Sequence, residues 1–97
     1  MQTFTFYTDP GHGWLAVRVQ DLRTAGLSAA DFTPCSHVSG DGCVLFLEED
    51  CDAPKFLEVY KARHGREAQI VDRYDGEFVR RLPCNVAGRW WPFASVR

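Results

Sequence analysis

One helix is written plainly into this chain. Four acids, Glu48, Glu49, Asp50 and Asp52, gather just ahead of Ala53-Pro54, and proline fits a helix only in its first turn, where no amide is yet required. Phe56, Leu57, Val59 and Tyr60 follow as an apolar stripe at helical spacing, and Gly65 is a natural stop. The spacing predicts a helix over about 53–64, with Asp50 or Asp52 as its N-cap. A helix with a single apolar stripe must lay it on another element. The rest of the sequence offers mostly strands, which points to a sheet with helices packed on it.

The strand signals are local. Phe4 and Phe6 alternate with Thr3, Thr5 and Tyr7, the period-two pattern of a strand with one face on a core. Asp9-Pro10-Gly11 then predicts a type II turn, and Trp14-Leu15-Ala16-Val17 the returning strand. A short helix is expected over about 18–25, because Gly26 suits the left-handed position after a helix and Leu27 can reach back to Leu22 in a Schellman arrangement. Ser28 and Asp31 fit a capping-box turn that Pro34 soon ends. Thr33–Val38 and Cys43–Leu47 read as a second hairpin around Ser39-Gly40-Asp41-Gly42. After the main helix, Ala68, Ile70 and Val71 suggest a strand. Tyr74-Asp75-Gly76-Glu77 then carries the Asp-Gly signal of a type I′ hairpin into Phe78–Leu82. Beyond about 83, Pro83, Gly88 and Pro92 break regular structure, so residues 83–97 read as an irregular tail that wraps the domain or reaches a partner.

Together these give an α+β fold of order ββαββαββ: an antiparallel sheet of three β-hairpins with two helices on one face. At 97 residues the chain supports one core, hence one domain over 1–97. With 45% hydrophobic and 25% charged residues it is too apolar for intrinsic disorder, and no run approaches the roughly 20 apolar residues that cross a bilayer. Met1–Tyr7 has no basic region and no long apolar stretch, so it does not read as a signal peptide, and a cytoplasmic protein is the expectation.

Net charge is −2, which argues against a general nucleic-acid coat. The halves differ in sign. Residues 1–58 hold nine acids against three bases, a balance of −6, and residues 59–97 hold eight bases against four acids, a balance of +4. Such a split marks polar binding surfaces, or two halves of one fold that pair with each other.

Three stretches carry a resemblance: Phe6-Tyr7-Thr8-Asp9-Pro10-Gly11-His12-Gly13-Trp14-Leu15-Ala16-Val17, Leu47-Glu48-Glu49-Asp50-Cys51-Asp52, and Tyr60-Lys61-Ala62-Arg63-His64-Gly65. They resemble a family of small uncharacterised proteins encoded by phages, prophages and plasmids, which carries no assigned activity. The likeness spans roughly residues 4–65. The tail departs from it, since Arg89-Trp90-Trp91-Pro92-Phe93 is bulkier than the polar, Arg- and Ser-containing end of that family. The resemblance implies a mobile-element product acting in a bacterial cytoplasm, in the manner of anti-CRISPR and other anti-defence proteins. It would bind a host protein or a defence ribonucleoprotein complex and occlude a surface. The alternative is an accessory protein that binds nucleic acid through Arg73, Arg80, Arg81, Arg89 and the tryptophans.

Each constellation has a functional and a structural reading. Asp9, His12 and Trp14 form a loop of candidate function, since a histidine beside a carboxylate can act as acid or base. No nucleophile accompanies them, and Asp9 equally braces its turn as an Asx-turn. The run Glu48, Glu49, Asp50 and Asp52 is a candidate partner-binding patch that imitates phosphates, and it also suits the positive end of the helix that follows. It lacks the spacing of a calcium loop. Arg80, Arg81, Arg89, Trp90 and Trp91 form the other candidate partner surface, combining guanidiniums with stacking rings. Cys35, Cys43, Cys51 and Cys84 contain no Cys-x-x-Cys pair. Cys35 and His37 on one face of a strand, with Cys43 across the hairpin, make a three-ligand zinc cluster imaginable, but reduced buried thiols are the simpler expectation. No catalytic residue, metal or cofactor is assigned, and an enzyme is not the favoured reading. An exposed strand edge or the apolar tail would serve to pair two copies, and the sequence does not choose between dimer and monomer.

Overall fold

The structure is a computed structural model that describes residues 2–86. It contains a five-stranded mixed sheet of order β3-β4-β2-β1-β5, formed by β1 (Thr3–Thr8), β2 (Gly13–Arg18), β3 (His37–Val38), β4 (Val44–Glu48) and β5 (Gln69–Arg73). Helix α1 spans Val19–Thr24 and α2 spans Ala53–His64. Two 3₁₀ segments, Ala29–Asp31 and Glu77–Arg81, complete the regular structure. The α+β class is as expected, and the three-hairpin plan is corrected in its last third.

The correction has a topological cause. β1, β2 and β4 pair antiparallel in sequence, but β5 pairs parallel to β1, with Phe4 opposite Ile70 and Tyr7 opposite Arg73. Between β4 and β5 the chain crosses the sheet through α2, and a strand reached by a helical crossover joins its sheet in parallel. β5 therefore starts no hairpin. Type I′ geometry needs positive φ at both central residues, yet Gly76 has φ −90°, and Glu77–Arg81 is a 3₁₀ segment where a strand was expected. Gly76 is required for closeness instead. Its N–H donates to the Thr8 carbonyl at 2.8 Å, and a Cβ there would stand 2.9–3.0 Å from the Thr8 backbone. Gly11 likewise lies outside the positive-φ set, Gly26, Gly42 and Gly65, so the Asp9-Pro10-Gly11 turn is not type II.

Other local signals hold. α2 has the predicted limits, with Pro54 in its first turn and Gly65 at φ 73° closing it. α1 ends in the Schellman pattern, Leu27 N–H donating to the Leu22 carbonyl at 2.8 Å and Gly26 N–H to that of Arg23 at 2.9 Å. Ser28 and Asp31 form the capping box. The second hairpin is shorter than expected. β3 keeps only His37 and Val38, because Thr33 and the buried Ser36 bond Asp52 instead of a neighbouring strand.

The sheet is covered on both faces. Phe4, Leu15, Val17, Leu45 and Leu47 pack with Leu22 of α1 and Ala53, Phe56 and Tyr60 of α2. Phe4 meets Phe56 and Tyr60 edge-on, with ring centroids 5.3 and 5.5 Å apart. The opposite face holds Trp14, Phe46 and Val79, with Tyr7, Ala16, Val44, Phe78 and Leu82 around them. The strongly apolar β4 is thus explained, since alternate side chains enter two cores. β5 is bare: all five residues are exposed, and Ile70, Val71 and neighbouring Tyr74 are the exposed large hydrophobics among the described residues. No helix among the described residues is long and apolar enough to cross a membrane. Of the expected tail, Pro83–Asn85 runs beside β3, with Val38 N–H donating to the Pro83 carbonyl and Asn85 N–H to that of Ser36.

Candidate functional site

The loop joining β1 to β2 is built around one carboxylate. Asp9 Oδ1 accepts the Gly11 and His12 amides, both at 2.9 Å, which is the Asx brace expected from sequence. Gly13 then passes so close to β1 that a Cβ would lie 2.5 Å from the Phe6 ring. This tight return drops Trp14 into the second face, where it is 2% exposed. His12 stacks on its indole at 5.8 Å, and His37 meets it edge-on at 5.9 Å.

Arg80 arrives from the far end of the chain. Carried by the second 3₁₀ segment, it donates through Nε to Asp9 Oδ2, through Nη2 to Asp9 Oδ1 at 3.0 Å, and through Nη2 to His12 Nδ1 at 2.8 Å. Its guanidinium also lies 5.5 Å over the Trp14 ring, a cation–π placement. The Arg80 hydrogen bond holds the Asp9 carboxyl well below the ordinary range against the opposing effect of burial, with the His12 and Gly11 amides adding to it. Asp9 in turn pushes the Arg80 pKa up. One acid of the acidic half and one base of the basic half therefore meet here.

Beside this junction opens a cleft of about 430 Å³, lined by His12, Trp14, Cys35, His37, Glu48, Asp50, Cys51 and Arg80. A second hollow of about 430 Å³ lies on the other side of Arg80, between Asp9–Gly11 and Tyr74–Glu77. His37 Nδ1 donates to the Leu82 carbonyl at 2.9 Å; a carbonyl can only accept, so the lone pair of the neutral ring sits on Nε2. The buried Trp14 Nε1 has no hydrogen-bond partner among the described residues.

The acidic run does not form one patch. Glu48 and Asp52 are buried, and Glu49 and Asp50 are exposed. Glu48 Oε1 accepts the Asp50 and Cys51 amides at 2.9 and 2.8 Å. Burial raises its pKa, but those amide bonds more than offset this and leave it lowered. Asp52 stands at the N-cap, but its side chain bonds no amide of its own helix. Its carboxylate accepts from the Thr33 amide and hydroxyl at 3.0 and 2.9 Å, and from the Ser36 hydroxyl. Charge at a helix start is serving a tertiary link rather than a cap.

The thiols also differ from expectation. All four cysteines are free and exposed, which corrects the expected burial. Cys35 and Cys51 line the cleft, whereas the Cys43 amide bonds Asp41 Oδ1 in the β3–β4 loop. The imagined Cys35–His37–Cys43 cluster is not assembled, and no group of three metal-ligating side chains is placed to hold an ion among the described residues. Arg81 is exposed. Arg89, Trp90 and Trp91 lie outside the described residues.

Sequence reasoning singled out Asp9, His12, Trp14 and Arg80 separately, but nothing local joined the first three to the fourth. It also missed Cys51 as a neighbour of Cys35. Comparison with family models, with curated proteins and with solved structures finds no match.

Proposed function

We propose that this chain is a non-enzymatic binding protein of a mobile element, which blocks a host defence complex by covering one of its binding surfaces. The observation that carries this reading is the Asp9–His12–Trp14–Arg80 junction at the mouth of the cleft. It presents a guanidinium and an imidazole, fixed by a carboxylate, above an indole N–H that has no acceptor of its own. An acceptor oxygen brought by a partner would meet the Arg80 guanidinium, 45% exposed, beside the His12 ring at the mouth of the cleft. Exposed Asp50 lines the same cleft and extends that contact, and Glu49, Arg81, Arg89, Trp90 and Trp91 are further candidate contact residues. Glu48 and Asp52 support it from inside.

Affinity capture from bacterial lysate tests this reading. The wild-type chain should retain subunits of a defence complex, and Arg80→Ala/His12→Ala should weaken that retention about tenfold or more, the loss expected when a well-placed charged donor leaves an interface. Glu49→Gln/Asp50→Asn and Trp90→Ala/Trp91→Ala report on the flanking surfaces. Equal retention by all three variants would remove every surface named. Retention of DNA or RNA alone, falling steeply with salt, would establish the nucleic-acid reading instead.

A further inference from the structure

The cleft holds two thiols that the binding reading leaves without a role. Cys35 sits in the turn before β3, and its amide donates to Thr33 Oγ1 at 3.1 Å. Cys51 sits in the turn before α2, its amide held by Glu48 Oε1 at 2.8 Å. Asp52 ties these two turns together through Thr33 and Ser36, the residues on either side of the Pro34-Cys35 pair. Both side chains line the same cleft. The arrangement brings together cysteines sixteen positions apart by means of a buried carboxylate, and leaves both of them open to solvent.

We propose that Cys35 and Cys51 form a redox-active dithiol, a modification site that takes a low-molecular-weight disulfide and closes to an intramolecular disulfide. This proposal does not depend on the binding reading.

The order of steps follows from the surroundings. The Cys51 thiol is pushed up to about 12 by its hydrogen bond to the Cys35 sulfur and then by Glu48, so near neutral pH it keeps its proton and is the poorer nucleophile. Cys35 therefore attacks first. Its thiolate displaces one half of the small disulfide as a thiolate, giving a mixed disulfide on Cys35. Cys51 then gives up its proton to solvent and attacks the Cys35 sulfur, and the second small thiolate departs and takes up a proton from water. Two protein thiols are oxidised, one small disulfide is reduced to two thiols, and no further reactant is required.

Oxidised glutathione is the probe. Incubated with the Cys43→Ser/Cys84→Ser chain, it should remove both remaining thiols with a mass loss of about 2 Da, and peptide mapping should find Cys35 joined to Cys51. Adding Cys51→Ser should stop the reaction at a glutathione adduct on Cys35, and adding Cys35→Ser should leave no disulfide within the chain. Either of two results would overturn the proposal: both thiols still free after exposure to a large excess of oxidised glutathione, or adducts on both cysteines with no link between them. Near-UV circular dichroism before treatment shows that each variant is folded, so a failed reaction cannot be assigned to a lost fold.

Discussion

The two faces of the sheet are stabilised by different means. On the helix face, Leu15, Val17, Leu22, Leu45 and Leu47 are fully buried and Phe56 nearly so, and packing among hydrocarbon groups suffices. On the other face a single 3₁₀ segment covers Trp14 and Phe46 with Phe78 and Val79, and Leu82 just after it packs alongside. That lid is short, so polar bonds fasten its margins: Gly76 to Thr8, Arg80 to Asp9 and His12, and Asn85 to the Ala29 and Phe32 carbonyls. The difference teaches where function can reside. The face closed by two helices keeps hollows of about 300 and 230 Å³ at its margins, while the face closed by one thin segment keeps a cleft of about 430 Å³ at its edge.

The comparison is sharpened first by the largest expected loss. Phe56→Ala empties the centre of the helix face beneath Phe4 and Tyr60 and should cost about 4 kcal/mol in urea unfolding. A loss under about 1 kcal/mol would mean that this face is not the principal core. Asp52→Ala should come next, at about 3 kcal/mol, because the Thr33 amide and the Thr33 and Ser36 hydroxyls lose a charged acceptor in a buried setting. Asp52→Asn, which keeps one acceptor oxygen, should recover part of that loss. If Asp52→Ala were neutral, the tie between the two turns would not exist.

Gly76→Ala follows, at about 2 kcal/mol. The new Cβ meets backbone rather than a flexible side chain, so the segment must lift from β1. The two faces should then separate in their response: in a Trp90→Phe/Trp91→Phe background, where Trp14 is the remaining tryptophan, its fluorescence changes, while the far-UV helical signal holds. A substitution that left Trp14 undisturbed would show that the lid is not seated on Thr8.

How much of this was legible depends on how local each cause was. α2, the Schellman end of α1, the capping box at Ser28 and the Asx brace at Asp9 each rest on a few adjacent residues, and all were readable. The Asp75-Gly76 pair was misread because a glycine that permits close approach and one that permits positive φ look alike in a sequence. The type II turn at Gly11 fails because Gly11 does not adopt the positive φ it would need. β5 was placed correctly as a strand, yet its parallel pairing depends on the crossover through α2, which no local pattern records. Of the site, Asp9, His12 and Trp14 were legible as a loop. Their union with Arg80 spans 71 positions, and the approach of Cys51 to Cys35 is made by Asp52, a residue whose own position suggested a helix cap.

The smallest effect concerns the Asp9–Arg80 pair, and pH isolates it. The carboxyl of Asp9 is held below its ordinary value of 3.8 in the folded chain, by Arg80 first and by the His12 and Gly11 amides. A carboxylate with a depressed folded pKa contributes stability that is fully present above its unfolded value and is lost as pH falls through the folded value. Asp9→Asn keeps an oxygen for the Gly11 and His12 amides and removes the charge facing Arg80. Wild type should therefore exceed Asp9→Asn in urea midpoint at pH 6, and the gap should narrow steadily below about pH 4. Added salt should shrink the gap at pH 6, since the Arg80 side chain is partly exposed to solvent. A gap that stayed constant from pH 6 to pH 2 would assign the effect to the turn rather than to the ion pair, and the thin face would then be held by its aromatic packing and by the Gly76 and Asn85 bonds.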